Sequence, residues 1–379
     1  NYSNIMEYPQ VRQVGFNLQA KVAGFGIELI HSNFKSATPG ILGIRGSRSI
    51  IPKLSLGVSF VTDLDQLAGL PDSDGDNYPD YYDFYPDDSE KHDDSLYWRN
   101  IYGEITGGIY AGFDTWYLNS DGYNNYDPER AENDPVSGMA FDVAYALNEK
   151  VTLYSQVGYL LGEVDTLLNE ISIGYTEETN LGWGLVPIGA RTKLGPINLL
   201  AEYRMGSRRF VFNYWDRAYD VNRVSVINSD TGTEVATRES QLYLYGKLNG
   251  FYVQADMSVM NLFTLGTGYQ NMQGEKWDKD LNEYKTGETN QTFLSTITIN
   301  PSLIPRVGKA EAFYQQSNVP NPFDFTPTAS TILGYTLGIE VSSGVMLMYK
   351  ARTTYISDLE NDGEFIPVES IQIETQFIF

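Results

Sequence analysis

The feature that most constrains this chain is an alternation of apolar and polar residues, about ten residues long, that returns from one end of the sequence to the other. Val14, Phe16, Leu18, Ala20 and Val22 interleave with Asn17, Gln19 and Lys21, and Leu54, Leu56, Val58 and Phe60 with Ser55, Gly57 and Ser59. Met139, Phe141, Val143, Tyr145 and Leu147 lead through Asn148-Glu149-Lys150 into Val151, Leu153, Ser155, Val157, Tyr159 and Leu161. Successive side chains of a strand point to opposite faces, so each segment presents one apolar and one polar face. Further segments follow Gly195-Pro196, flank Asn249-Gly250, and flank Ser342-Ser343-Gly344. Nothing reads as a long amphipathic helix.

A strand with one apolar face suits a soluble sandwich or a membrane barrel, and composition separates the two. No run of eighteen apolar residues occurs, so a helical span is excluded, and the mean hydropathy of -0.30 is low. A barrel dilutes its membrane signal by half, because every second residue faces the lumen. The 28 Tyr and 35 Gly suit strands and interfacial aromatic girdles. Met, Leu and Tyr recur where a solvated sheet would carry Lys and Thr. Cys is absent, which removes thiolate and disulfide chemistry and suits passage through an oxidising compartment. No signal peptide begins at Asn1, so a mature or trimmed chain is expected.

The turns are unequal. Short ones at 148–150, 195–196, 249–250 and 342–344 contrast with polar stretches at 33–40, 64–96, 118–137, 162–180, 207–238, 271–290, 317–330 and 356–366. Membrane barrels place short turns in the periplasm and long loops outside, and eight outer loops predict about 16 strands, with 14 the alternative. The segments near 14–33 and 239–271 divide in two ways. The expected fold is therefore all-β, a transmembrane antiparallel β-barrel, with residues 1–379 forming one domain. The chain closes on Ile371, Ile373, Thr375, Phe377 and Phe379 alternating with Gln372, Glu374 and Gln376. This strand resembles the closing strand of Gram-negative outer-membrane barrels, the porins among them. The resemblance implies a bacterial outer-membrane location, contact with outer-membrane lipid and lipopolysaccharide, and a final Phe read by the barrel assembly machinery.

Within the 64–96 insertion stands Asp72-Ser73-Asp74-Gly75-Asp76-Asn77-Tyr78-Pro79-Asp80-Tyr81-Tyr82-Asp83. Calcium takes six to eight hard oxygens from a flexible loop. Asp72, Asp74, Asp76, Asp80 and Asp83 occupy positions 1, 3, 5, 9 and 12 of such a loop, with the Tyr78 carbonyl at 7. The spacing resembles the thrombospondin type 3 repeat. It departs in having Asn77 at the turn position and Asp at the twelfth, and it lacks the flanking helices of an EF-hand. From Asp63 to Asp94 twelve acids face one base, Lys91, giving -11 of the chain's -23. A block of that charge repels itself unless cations neutralise it, so calcium is the expected cofactor.

Catalysis finds little support. The two histidines are His31 and His92, and only His31 with Glu28 offers a conceivable pair. The acidity opposes nucleic acid, whose phosphates would be repelled. Expected instead is a passive diffusion channel, not an enzyme, whose inward charges include Glu202, Arg204, Lys350 and Arg352, with Lys21, Lys247, Lys309 and Glu311 beside them. The alternative is an adhesive barrel whose calcium-held loop binds a surface or a periplasmic or partner protein.

Overall fold

A computed structural model describes residues 16–32, 40–70, 73, 89, 117–119, 122–124, 135–168, 175–216, 219, 223–229, 232–278, 281–357 and 365–377. The strands are β1 (Phe16–Val22), β2 (Phe25–His31), β3 (Ile41–Ile51), β4 (Leu54–Asp63), β5 (Tyr117–Asn119), β6 (Gly122–Asn124) and β7 (Val136–Ala146). Next come β8 (Val151–Leu161), β9 (Glu163–Leu168), β10 (Tyr175–Asn180), β11 (Trp183–Leu194), β12 (Ile197–Gly206), β13 (Val224–Ser229) and β14 (Gly232–Thr237). The last are β15 (Tyr245–Val259), β16 (Phe263–Asp278), β17 (Glu283–Ile299), β18 (Val307–Val319), β19 (Thr331–Ser342), β20 (Val345–Ser357) and β21 (Phe365–Phe377). Fifteen of them form one antiparallel meander, β1-β2-β3-β4-β7-β8-β11-β12-β15-β16-β17-β18-β19-β20-β21. The other six pair as hairpins within the long connections: β5 with β6, β9 with β10, β13 with β14.

Exposure runs opposite to that of a soluble protein. Leu56, Val58, Phe141, Val143, Tyr203, Phe251, Val253, Tyr335 and Ile373 are exposed, while Arg45, Asp142, Gln156, Glu202, Arg204, Gln270, Gln315, Thr336 and Lys350 are buried. On β12 the two sets alternate residue by residue: Ala201 and Tyr203 outward, Glu202 and Arg204 inward. Lipid accepts the first set and would charge several kcal/mol against the second, so the apolar face is the outside of a transmembrane β-barrel.

The strand number falls within the range expected from sequence, and two turn assignments change. Fifteen strands lie in the sheet among the described residues, between the 14 and 16 expected. The segment near 14–33 divides into β1 and β2 around Ala23-Gly24. Asn249-Gly250 is no turn. β15 runs straight through it, pairing Asn249 with Gln273 and Gly250 with Met272, and the chain reverses at Met260-Asn261, both at positive φ. Gly250 serves close approach instead: a Cβ there would collide with the Asn271 carbonyl and stand 2.7 Å from Met272 Cα. With no reversal at 249–250, Leu248 lies inward and buried, and Lys247 lies outward and exposed. Likewise the stretch 271–290 is not a long loop, because β16 and β17 pair through it as far as Asp278 opposite Glu283. At 16 and 17 residues these strands exceed the roughly 9–11 needed to cross a bilayer and stand above it on the long-loop side.

One inward contact shows how neighbouring strands are locked. Arg45 of β3 donates to Asp142 of β7 at 2.6 and 2.9 Å, passing over β4 between them, and also to Ser59 at 2.7 Å. The residue beneath is Gly57, where any Cβ would collide with both side chains of the pair.

Candidate functional site

The connection between β12 and β15 turns inward. It opens with Phe210-Val211-Phe212-Asn213-Tyr214-Trp215, an apolar and aromatic run that water would not retain at a loop tip. Val211, Tyr214, Trp215 and Tyr219 are buried in one cluster with Ile41, Val61, Val136, Ala140, Tyr154 and Val186, inward residues of β3, β4, β7, β8 and β11. Trp215 is 0% exposed, and its ring meets Tyr214 edge-on with centroids 4.8 Å apart. At its long-loop end one half of the wall thus carries small and apolar inward residues that accept this segment, while nearer the short turns the same strands turn Arg45, Asp142 and Gln156 inward.

Polar bonds fix the segment at both ends of its crossing. Tyr219 Oη donates to Asp63 at 2.9 Å, and Arg223 reaches the same carboxylate at 3.3 Å. Burial, and then the Asp63 charge, push the Tyr219 phenol well above its usual pKa, so it remains a donor. Tyr214 Oη donates to Gln66 at 3.2 Å, and Gln66 Nε2 donates to Glu239 at 3.0 Å. Arg238 binds Asp216 through two nitrogens at 3.0 and 3.2 Å, and Gln315 Nε2 of β18 donates to Asp216 at 3.0 Å. Asp63 ends the fourth strand of the sheet and Gln315 lies on the twelfth, so the sheet curls round and the segment bridges its interior.

The opposite half of the wall stays polar. A cavity of about 270 Å³ lies between the segment, at Phe212, Asp216 and Arg238, and inward residues of β12, β15, β16, β17 and β18, among them Arg204, Gln254, Asp256, Gln270, Thr292 and Gln315. A second, of about 430 Å³, lies toward the short-turn end with Lys150, Arg191 and Lys193, and both include Gln254 and Asp256. The two therefore share a border at these side chains.

Of the residues expected from sequence, Glu202 and Arg204 meet as an ion pair of 2.6 Å. Tyr154 Oη donates to Glu202, and Arg204 donates to Gln270 at 2.6 Å. The Arg204 guanidinium stacks between Tyr252, 4.0 Å to the centroid, and Phe212 of the segment, 4.9 Å. Lys350 and Arg352 lie buried on the inward side of β20, where register sets Lys350 opposite Thr336 and Gln372. Asp72, Asp74, Asp76, Tyr78, Asp80 and Asp83 lie outside the described residues. Among the described residues no group of three metal-ligating side chains gathers. His31 and Glu28 share β2 three residues apart, which sets them on opposite faces, and Glu28 accepts from Gln19 at 3.0 Å. The sequence marks 207–238 as a long polar stretch, and the aromatic run at 210–215 is its one signal of an inward fold.

No protein-family model and no curated protein matches the chain. Among solved structures it is similar to OccK11 (OpdR) of Pseudomonas aeruginosa, at 10% identity over 95% of this chain and 77% of that one, TM-score 0.36. It is also similar to a variant of the Rh. blastica porin, at 14% identity over 96% and 89%, TM-score 0.33. A third is CdiB of Acinetobacter baumannii, at 10% identity over 93% and 53%, TM-score 0.36. At these scores the likeness carries nothing about cargo or partners. The chain's own residues define the class: an outer-membrane-type β-barrel, apolar outside and polar inside, with one connection folded into its lumen.

Proposed function

We propose that the protein is an outer-membrane channel for passive diffusion of small polar solutes, which pass between the inward segment and the β12–β18 wall. The observation that carries this reading is the lumen's asymmetry. At the long-loop end one half of the wall packs against Val211, Tyr214 and Trp215, while the other keeps a polar cavity, and a second polar cavity lies nearer the short turns on β8, β11, β12 and β15. Along the path Arg204 is neutralised by Glu202 and Arg238 by Asp216, so amides and hydroxyls from Gln254, Gln270, Thr292 and Gln315 supply most of the lining. Asp256 accepts from the neutral Gln254 at 3.0 Å and borders both cavities. Lys350 and Arg352 place positive charge on the β20 wall, and with Glu202 and Arg204 they are the proposed pore-lining charges.

The acidic loop belongs to the same proposal. Asp72, Asp74, Asp76, Asp80 and Asp83, with the Tyr78 carbonyl, would hold calcium at the outer mouth and offset their own repulsion there.

Planar-bilayer recording of the purified barrel tests the channel. Discrete conductance steps are expected, with Arg352→Glu moving ion selectivity toward cations and Asp256→Lys moving it toward anions, folding unchanged. Reconstituted protein that never conducts, in any of the three forms, would refute the channel.

A further inference from the structure

Outside the barrel, on the long-loop side, a groove of about 400 Å³ is bordered by Trp183, Ser207, Arg208, Arg209, Lys247 and Glu275. We infer that it binds the phosphate groups of the phosphorylated glycolipid in the outer leaflet.

Height is the first support. Tyr203 of β12 and Phe251 of β15 are paired, outward and exposed, and Tyr203 Oη donates to Asn249, as expected of aromatics at the membrane boundary. Ser207 and Lys247 each lie four residues further toward the long-loop end. At ~3.3 Å per residue and a tilt near ~40°, the groove stands about 10 Å above that row, among headgroups. Trp183, also outward, adjoins it and gives Ser207 Oγ a backbone N–H at 2.8 Å, placing an amphipathic ring beside the charges.

Charge is the second. Three cations and one carboxylate leave the groove at +2, in a chain whose total is -23. Preorganisation is the third. Arg208 is held by Glu275 at 2.7 and 3.1 Å and lies 4.2 Å from the Tyr284 ring centroid, while Arg209 Nε donates to the Asn180 carbonyl at 3.0 Å. The Lys247 side chain is exposed, and its backbone N–H donates to Glu275 at 3.1 Å. Fixed guanidinium groups beside an exposed ammonium suit phosphate, whose oxygens accept from both. The inference does not depend on whether the lumen conducts.

The test titrates the purified full-length barrel, in neutral detergent, with a diphosphorylated acylated disaccharide, its dephosphorylated form, and inorganic phosphate. Saturable binding of the diphosphorylated form is expected, with the dephosphorylated form much weaker and inorganic phosphate failing to compete at equal concentration. Lys247→Gln removes an exposed charge near Glu275, whose carboxylate stays held by Arg208, and should weaken binding about fivefold; adding Arg209→Gln should weaken it about fivefold more. Equal binding of the phosphorylated and dephosphorylated forms, or unchanged affinity in Lys247→Gln, would overturn the site. Competition by inorganic phosphate as strong as by the glycolipid would overturn the lipid assignment.

Discussion

Replacing Trp215 by Ala should open the channel without unfolding the barrel. Trp215 is fully buried, and its partners are other segment residues, Tyr214 and Tyr219, together with the apolar inward residues of the wall. Truncating a buried Trp costs roughly 3–5 kcal/mol in lost burial and residual cavity. Because Trp215 belongs to no ladder strand of the main sheet, that loss falls on docking of the segment rather than on the strand pairing that holds the barrel. At about 1.4 kcal/mol per factor of ten, the undocked fraction should rise by roughly two to four powers of ten. Trp215→Phe is the matched control. The Trp215 indole N–H is buried with no hydrogen-bond partner among the described residues, so Phe removes an unsatisfied donor while retaining most of the apolar volume. Single-channel recording reads the difference. Trp215→Ala should show frequent larger or flickering conductance states at unchanged heat-modifiable mobility, while Trp215→Phe should stay close to wild type. Traces indistinguishable from wild type in Trp215→Ala would refute the segment as the constriction, and equal opening in both variants would refute the packing argument.

Other outcomes follow from the same geometry. Ile373→Arg places a guanidinium on the exposed face of β21 and should lower barrel stability by ~2–4 kcal/mol near the bilayer midplane, measured by urea unfolding in vesicles, whereas Ile373→Val should cost little. Asp142→Ala should leave the Arg45 guanidinium buried without its carboxylate, costing ~3–5 kcal/mol in the same assay. Asp72→Ala with Asp76→Ala, or chelation, should expose the bonds between Tyr78 and Tyr82 to protease while the barrel stays folded; cleavage indifferent to calcium would leave only a solvated acidic loop. The hydrogen bond from Arg208 holds the Glu275 carboxyl below its usual pKa. Its stabilising contribution is thus present above the ordinary glutamate value of ~4.3 and lost as pH falls through the lowered one, so a fall in glycolipid binding between pH 7 and 5 should follow the phosphate's own second ionisation at ~6 and be the same in Glu275→Gln.

What the sequence reveals of this barrel depends on which physical force fixes each part. Lipid on one side and water on the other impose alternation wherever a strand crosses the membrane, so β7, β8 and β12, and Glu202 and Arg204 on an inward face, are legible from period alone. Above the bilayer both faces are wet and the constraint lapses. There β16 and β17 continue to Asp278 and Glu283 through residues as polar as any loop, and only their pairing with each other reveals them. Local turn propensity fails for a related reason. Asn-Gly favours a hairpin, but outward Phe251 and Val253 and inward Leu248 and Tyr252 all gain from a strand that continues, and Gly250 is needed because the next backbone passes too close for a Cβ. The inward segment is hardest. Its aromatic run says that Phe210 to Trp215 must be buried, yet Asp63 lies 156 residues from Tyr219 and Gln315 lies 99 from Asp216. No spacing rule links such partners. They meet only because the sheet curls until its fourth and twelfth strands face a common lumen, and the same curl leaves a polar cavity between the segment and β12–β18.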